Sequence, residues 1–457
     1  MVNMSNELAT SLHTFDAKSA DLILNYVRDR LASEAPLDHP GDKAELESVI
    51  AGLINPSGNS VEKVLDIYAD VLAPTVLSTD SPNFLAFIPG APAKSALLFD
   101  TVVSCASLQG MSWLEAAGAI VAENQVLRWI ADLAGLPDSA GGTFVSGGSA
   151  ANLSALAVAR EVGREKFGVR NVRIALSKEA HSSIGSTLKL LDVEPFWIQT
   201  DNHKVTAESF AASLAADTCT DPIVAVALTS GTTNAGIIDD IAGVGEIARE
   251  RGMWLHVDGA YGGAGLLSPT VRHLYAGIEH ADSFITDPHK WWFAPFDAAA
   301  LLYRNPALAV KVHTQDASYL DVLHDDQPAD QFNPTDLAYH LTRRARGLAL
   351  WFAVSVHGTD AFAAAVEASI QLARATAELI SDYPEIELIR EPTLSVVLWR
   401  RKGWALADYE NLQTRLLREQ IAFVTPSKWE GEPVGRFAFL HPGTKIDVVK
   451  QIFEMCK

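Results

Sequence analysis

The 457-residue chain is poor in cysteine, in positive charge and in long apolar runs. Its three cysteines, Cys105, Cys219 and Cys456, show no Cys-x-x-Cys spacing. That argues against a disulfide framework or a zinc site, leaves no support for a metal, and fits a reducing compartment. Lys and Arg number 36 against 56 Asp and Glu, a formal charge of −20. Nucleic acids and anionic membrane surfaces select basic patches, so neither is expected as a partner. No apolar stretch is long enough to span a bilayer. Residues 1–10 lack a basic stretch followed by an apolar run, so no signal peptide is expected. Repeats and low-complexity tracts are missing too. The expectation is a soluble cytoplasmic protein.

Length suggests about three folding units. Residues 20–32 read as an amphipathic helix stopped by Pro36, Pro40 and Gly41, and 60–72 as a second helix capped by Ser60. From about residue 84 to 304, short apolar runs alternate with helical patterns such as 150–166 and 244–251. Candidate strands are 142–145, 172–176, 223–228, 254–257, 283–286 and 299–303. Val-, Ile- and Ala-rich strands separated by helices indicate an α/β fold with a mainly parallel sheet covered on both faces. Residues 313–336 are polar and acidic, with Asp316, Asp321, Asp325, Asp326, Asp330 and Asp336. A run of this kind inside a compact domain reads as a functional lid or a disordered segment. Helices over 337–356 and 361–380 and strands over 395–399 and 436–440 then make a smaller α+β domain.

Four segments carry chemistry. Ser146-Gly147-Gly148-Ser149 follows a strand and opens an alanine-rich helix. Glycines let N–H groups approach a phosphate, a helix N-terminus attracts anions, and Ser149 adds a hydroxyl. Alone, the segment is equally an ordinary tight turn. In Leu255-His256-Val257-Asp258-Gly259-Ala260-Tyr261-Gly262-Gly263 a strand carries Asp258 to its C-terminal end, where open α/β sheets bind ligands. The alternative is an aspartate capping the next turn. Thr286-Asp287-Pro288-His289-Lys290-Trp291-Trp292 sets a lysine after a strand beside a histidine and two indoles. Desolvation makes the neutral, nucleophilic form of a lysine accessible. The alternative is a surface lysine whose stem covers the tryptophans. His181 could stack on a flat ligand, or be one more core or surface histidine. Together these supply, in order, a phosphate anchor, a ring face, a partner for a pyridine nitrogen and a Schiff-base lysine, the parts that a pyridoxal-phosphate site needs.

The wording of these motifs, above all His256-Val257-Asp258-Gly259-Ala260-Tyr261-Gly262-Gly263 and Pro288-His289-Lys290-Trp291-Trp292, resembles the group II pyridoxal-phosphate-dependent decarboxylases. That family includes the aromatic-L-amino-acid, glutamate, cysteine-sulfinate and diaminobutyrate decarboxylases. The resemblance is good over roughly residues 81–358 and looser at the ends. It implies a fold type I enzyme with a mainly parallel seven-stranded sheet, active as a homodimer with sites at the subunit interface. The expected units are a helical dimerisation segment over 1–83, a cofactor-binding domain over 84–345 and a small domain over 346–457. By resemblance Lys290 is the Schiff-base lysine and Asp258 the partner of the pyridine nitrogen. Ala260 lies under the ring and His181 on its other face. Gly148 and Ser149 belong to the phosphate loop, His289 lies near the phosphate, and Thr229 supports the aspartate. Tyr319 matches the tyrosine of the family's mobile catalytic loop, which completes the site. Phe87, Ile88, Pro89 and Gly90 would line the substrate pocket, with Gln109 and Met111 nearby.

Three positions depart from the family pattern. Asp287 stands where many relatives carry asparagine, and a carboxylate there repels a dianionic phosphate unless it is turned away or protonated. Gly90 replaces a threonine of the animal aromatic enzymes, and Gln109 an apolar residue. The expected reaction is decarboxylation of an L-amino acid to its amine and CO₂. Phe87, Ile88 and Met111 point to an aromatic side chain. Glutamate, 2,4-diaminobutyrate or a branched-chain substrate stays open, as does an aldehyde synthase, an aminotransferase or a non-catalytic binding protein on the same scaffold.

Overall fold

A computed structural model describes residues 9–323 and 332–457. The acidic positions Asp325, Asp326 and Asp330 lie outside the described residues. Helices α1 (Ala17–Ala32), α2 (Lys43–Ile50), α3 (Val61–Ile67), α4 (Lys94–Cys105) and α5 (Trp113–Leu133) precede the first sheet. Ser60 caps α3 as expected, accepting from the Lys63 N–H. The helical path then continues to Leu72 through a wider turn.

The first sheet has seven strands: β1 (Gly141–Val145), β2 (Arg173–Ser177), β3 (Glu194–Ile198), β4 (Ile223–Thr229), β5 (Trp254–Asp258), β6 (Ser283–Thr286) and β7 (Ala299–Tyr303). Their spatial order is β1-β7-β6-β5-β4-β2-β3. Strand β7 runs antiparallel to both its neighbours, and the other pairings are parallel. Two reversals through β7 bring β1 back into line with β6. The C-terminal ends of β1 to β6 therefore open on one edge, where ligands bind in such sheets. The six candidate strands all form. The seventh, β3, begins Glu194-Pro195 and lies at the sheet edge, where a proline removes no ladder bond.

All seven residues of β4 are buried, as the middle of a doubly covered sheet requires. Helices α6 (Gly148–Phe167), α7 (Ser182–Leu190) and α10 (Pro306–His313) pack on one face. On the other lie α5 and α9 (Ile241–Glu250), with α8 (Ala207–Ala215) beside them. Gly163 lets α6 approach β4, since a Cβ there would lie 2.4 Å from Cβ of Val224.

The expected helix over 337–356 begins only at Leu348, as α11 (Leu348–His357). The stretch before it is irregular because the Arg343 guanidinium turns inward. There it pairs with Glu123 at 2.7 Å, both side chains being at most 3% exposed, and donates to the Gly110 carbonyl. Glu123 in turn accepts the Gly347 N–H at 2.7 Å. A chain anchored by a buried ion pair cannot also follow the apolar periodicity of Leu337, Leu341 and Ala345.

The second sheet is antiparallel, in the order β10-β11-β9-β8, from β8 (Ile386–Leu388), β9 (Val396–Arg401), β10 (Ser427–Trp429) and β11 (Glu432–Ala438). Helices α12 (Thr359–Ile380), α13 (Leu406–Arg418) and α14 (Ile446–Met455) cover it around Trp399, Phe437 and Phe453. Among the described residues no single helix is long and apolar enough to cross a membrane. Helices α11 and α12, apolar together, meet at 96°.

The Glu123–Arg343 pair gives a stability prediction. Arg343→Met strands a buried carboxylate and should lose about 3–5 kcal/mol in denaturant unfolding, whereas adding Glu123→Leu should recover most of that loss. Equal stability of the single variant and the wild type would contradict this account of the buried pair.

Candidate active site

The chain reverses between β6 and β7, and the reversal carries Lys290. Trp291 and Trp292 are fully buried beneath it. The Trp292 indole donates to Thr286 Oγ1 at 2.7 Å, and the Trp291 ring stacks on Tyr261 at 5.3 Å. Lys290 Nζ lies 2.8 Å from Asp287 Oδ2, and its side chain is 22% exposed. His289 packs against Phe296 and accepts the Ala298 N–H on Nδ1. Burial lowers its pKa, with the nearby Asp287 carboxylate opposing. The 3.6 Å approach of His289 to Asp287 is thus not an ion pair at neutral pH.

One strand away, Asp258 is buried at the tip of β5. Its Oδ1 accepts the Ala260 N–H at 2.9 Å, and its Oδ2 accepts Asn152 Nδ2 at 2.9 Å. Thr229 is its register partner on β4. Among the described residues the buried Thr229 hydroxyl has no hydrogen-bond partner, so it gives Asp258 no hydroxyl bond. His181, beyond β2, is exposed and engages Ser183 Oγ through Nδ1 at 2.8 Å. Ser183 in turn receives a bond from Asn152 at 3.2 Å.

Gly148 brings these pieces together. A Cβ there would lie 3.0 Å from Asp287 Oδ2 and 3.2 Å from Cβ of Ala260. The first turn of α6 has no side-chain cap, which leaves its N–H groups open to an anion. Asp287 is therefore not turned away from the loop. Its charge is balanced by Lys290, while its Oδ1 is buried without a partner. Buried polar atoms are rarely left unpaired in a folded protein. The orphaned Thr229 hydroxyl, the uncapped helix and the Asp258 carboxylate fit a flat, phosphate-bearing pyridine with an aldehyde for Lys290, while Asp287 beside the loop is met by the lysine. Ser149, His181 and Ser183 line a cavity of about 420 Å³. A larger cavity, about 890 Å³, lies between α1, Phe293 and His441 and includes none of the expected site residues.

The expected pocket residues fall into two groups. Pro89 and Gly90 are buried, and a Cβ on Gly90 would lie 2.6 Å from the His289 carbonyl oxygen, so this segment borders the lysine turn. Ile88 packs on the core, while Phe87 is 61% exposed with its ring near Phe84 and Phe423. The Phe87 carbonyl accepts from Arg436 at 2.7 Å. The second group is Gln109, Met111 and Tyr319. Met111 packs on Leu320 and Leu323 of the turn that carries Tyr319, and Tyr319 itself is 71% exposed. Gln109 donates to Glu115.

Sequence reasoning missed Asn152, Ser183, His256 and Arg436. The alternation of a strand puts Trp254, His256 and Asp258 on one face of β5, a signal that was available. Asn152 was hidden in an alanine-rich helix. Arg436 is buried and, among the described residues, its guanidinium donates to the carbonyls of Phe87, Thr233 and Asn234, a role that no local pattern announces. Burial lowers its pKa to about 10.

His203 holds the loop before His181. Its Nδ1 lies 2.9 Å from Glu179 and its Nε2 3.2 Å from Glu430, on the hairpin between β10 and β11, and its ring lies 4.0 Å from Trp429. Burial opposes the charged ring, yet the two carboxylates outweigh it and raise the pKa. A raised histidine pKa stabilises below about pH 6.5 and ceases to do so as pH climbs through the folded-state value. His203→Gln should therefore lower the melting temperature at about pH 6 and match the wild type near pH 9. A constant difference across that range would remove the charged bridge.

The family model of the pyridoxal-dependent decarboxylase conserved domain matches residues 49–402. An aromatic-L-amino-acid decarboxylase of Bacillus atrophaeus is similar at 27% identity, over 98% of this chain and 95% of the relative. A phenylacetaldehyde synthase of Petunia hybrida is 28% identical over 74% of this chain and 70% of the relative. The fold is similar to that of Catharanthus roseus tryptophan decarboxylase in complex with L-tryptophan, with a TM-score of 0.82 at 22% identity over 99% of this chain and 97% of that one.

Proposed function

The chain belongs to the pyridoxal-phosphate-dependent amino-acid decarboxylases, and from that premise we propose that its substrate is an aromatic L-amino acid. The observation that carries the reading is the meeting of Lys290, Asp287, Gly148, Ala260 and Asp258 at one sheet edge. Apolar Ile88 and Phe87 beside that edge, and the aromatic substrates named for the relatives, favour an aromatic side chain.

Lys290 would hold the cofactor covalently, the start of α6 its phosphate, and Asp258 its pyridine nitrogen. Bound there, pyridoxal phosphate supplies an electron sink for the bond that breaks. Asp258 keeps a proton on the pyridine nitrogen, an interaction with developing charge that a buried carboxylate makes strong. Ala260 leaves room for a ring, and His181 covers the other face. Lys290 would be the amine through which the cofactor is held between turnovers. Tyr319 is the candidate donor of the proton to Cα once CO₂ has gone.

The enzyme is a homodimer in this reading, located in the cytoplasm. Leu12, Phe15, Leu24, Leu98, Val102 and Leu114 are large apolar side chains left exposed in the first part of the chain, of the kind that an interface would bury. Residues 1–83 serve dimerisation, 84–345 bind the cofactor and 346–457 form the small domain. Exposed Tyr319, with Met111 behind it, would complete the site across the interface.

Lys290→Ala should abolish turnover and the near-ultraviolet to visible band of the bound cofactor, and a normal spectrum would sink the assignment. Tyr319→Phe should slow amine release or, by reaction with dioxygen, divert product to aldehyde. CO₂, amine and aldehyde should be followed over the common amino acids, DOPA and diaminobutyrate. Aromatic-dependent CO₂ with stoichiometric amine supports the proposal. Aldehyde as the main product of the wild type would favour a synthase, as named for the Petunia relative.

A further inference from the structure

We propose that Asn152 is a positioning residue that sets the Asp258 carboxylate and the His181 ring together, and that His256 locks Asn152 in the required orientation. The proposal rests on the reading of Asp258 and His181 as cofactor contacts, and it adds what holds them.

Two kinds of group in this network can play only one part. An indole N–H only donates and a carboxylate only accepts. Trp254 Nε1 donates to Ser283 Oγ at 2.8 Å, which leaves the serine hydrogen for His256 Nδ1 at 2.8 Å. With Nδ1 accepting, the ring proton sits on Nε2, which lies 2.9 Å from Asn152 Oδ1. The amide nitrogen then faces the other way, toward Asp258 Oδ2 at 2.9 Å, as an acceptor-only carboxylate demands. Its second hydrogen reaches Ser183 Oγ at 3.2 Å. The Ser183 hydroxyl goes on to His181 Nδ1 at 2.8 Å, and the Ser183 N–H reaches the same atom at 3.2 Å. His181 Nδ1 is thus an acceptor, and its proton belongs on Nε2.

Read from Asp258, which only accepts, the chain has one direction. It branches at Asn152, whose carbonyl meets strand β5 and whose amide serves both cofactor contacts. Trp254, Asn152, His256, Ser283 and Asp258 are all buried, so no water competes for these bonds. Burial lowers the His256 pKa to about 4, with the neighbouring Asp258 carboxylate opposing. A neutral ring is what the chain requires, because an imidazolium would donate from both nitrogens and leave the Ser283 hydrogen without its acceptor.

The test titrates apo-protein with pyridoxal phosphate and reads the dissociation constant and absorption spectrum of the complex. Asn152→Ala should weaken binding about tenfold or more. Asn152→Asp, which cannot donate when ionised, should bind worst at neutral pH and partly recover as pH falls toward about 5. His256→Gln, which keeps a donor for Asn152, should stay near wild type, while His256→Leu should bind weakly. Binding by Asn152→Ala within about twofold of wild type, or equal losses in the two His256 variants, would overturn the proposal. Asp258→Ala separates this from the parent reading: if it binds cofactor normally, the reading of Asp258 falls and the proposal with it. If Asp258→Ala is weak and Asn152→Ala normal, only the role of Asn152 falls. Should a variant not fold, ¹⁵N NMR of the wild type decides: His256 neutral with its proton on Nε2 supports the lock, and a proton on Nδ1 removes it.

Discussion

A carboxylate buried at the tip of β5 needs donors, and much of the site's architecture answers that need. Asp258 finds a backbone N–H in Ala260 and an amide in Asn152. The first ties it to the turn that follows its own strand, the second to the helix that opens at the glycine loop. A buried carboxylate lacking either bond would carry a desolvation cost of several kcal/mol. The same two bonds aim its remaining lone pairs at the edge where the strands end. The need to satisfy one charge thereby aligns a strand, a helix and a loop that are far apart in sequence.

The lysine turn is built on a different principle. Its position comes from what lies beneath it, since two buried indoles cannot leave the core without losing a large apolar area. With Trp291 and Trp292 fixed, Lys290 emerges next to Asp287 and Gly148. Asp287 sits against the glycine loop and pairs with the lysine, so the two charges that a cofactor must deal with already balance one another. Electrostatics at the glycine loop and packing under the lysine converge on the same few cubic ångströms.

Strands, helices and the large motifs were legible because their signals are local: β-branched runs, helical periodicity, and glycines after a strand. Lys290 pairs with Asp287, which lies against Gly148 and so near Ala260, whose N–H Asp258 accepts. Local patterns failed where a distant partner overrode them. The helix expected from 337 starts at Leu348 because Arg343 is drawn to Glu123, 220 residues away. Strand β3 escaped notice because its proline is tolerated only at an edge, and edge position is a property of the whole sheet. Asn152 and Arg436 look unremarkable in sequence, since what gives each its place is a partner on another element.

By itself the sequence determined the α/β class, the family resemblance and the residue types at the cofactor site, because those depend on neighbours within a strand or a turn. Only the tertiary structure decided which donors satisfy Asp258, what balances Asp287, and that buried Met111 packs on the turn that holds exposed Tyr319. The reason is the same in each case. A buried polar atom must be paired, and the partner is chosen by where the folded chain passes, not by what stands beside it in the chain.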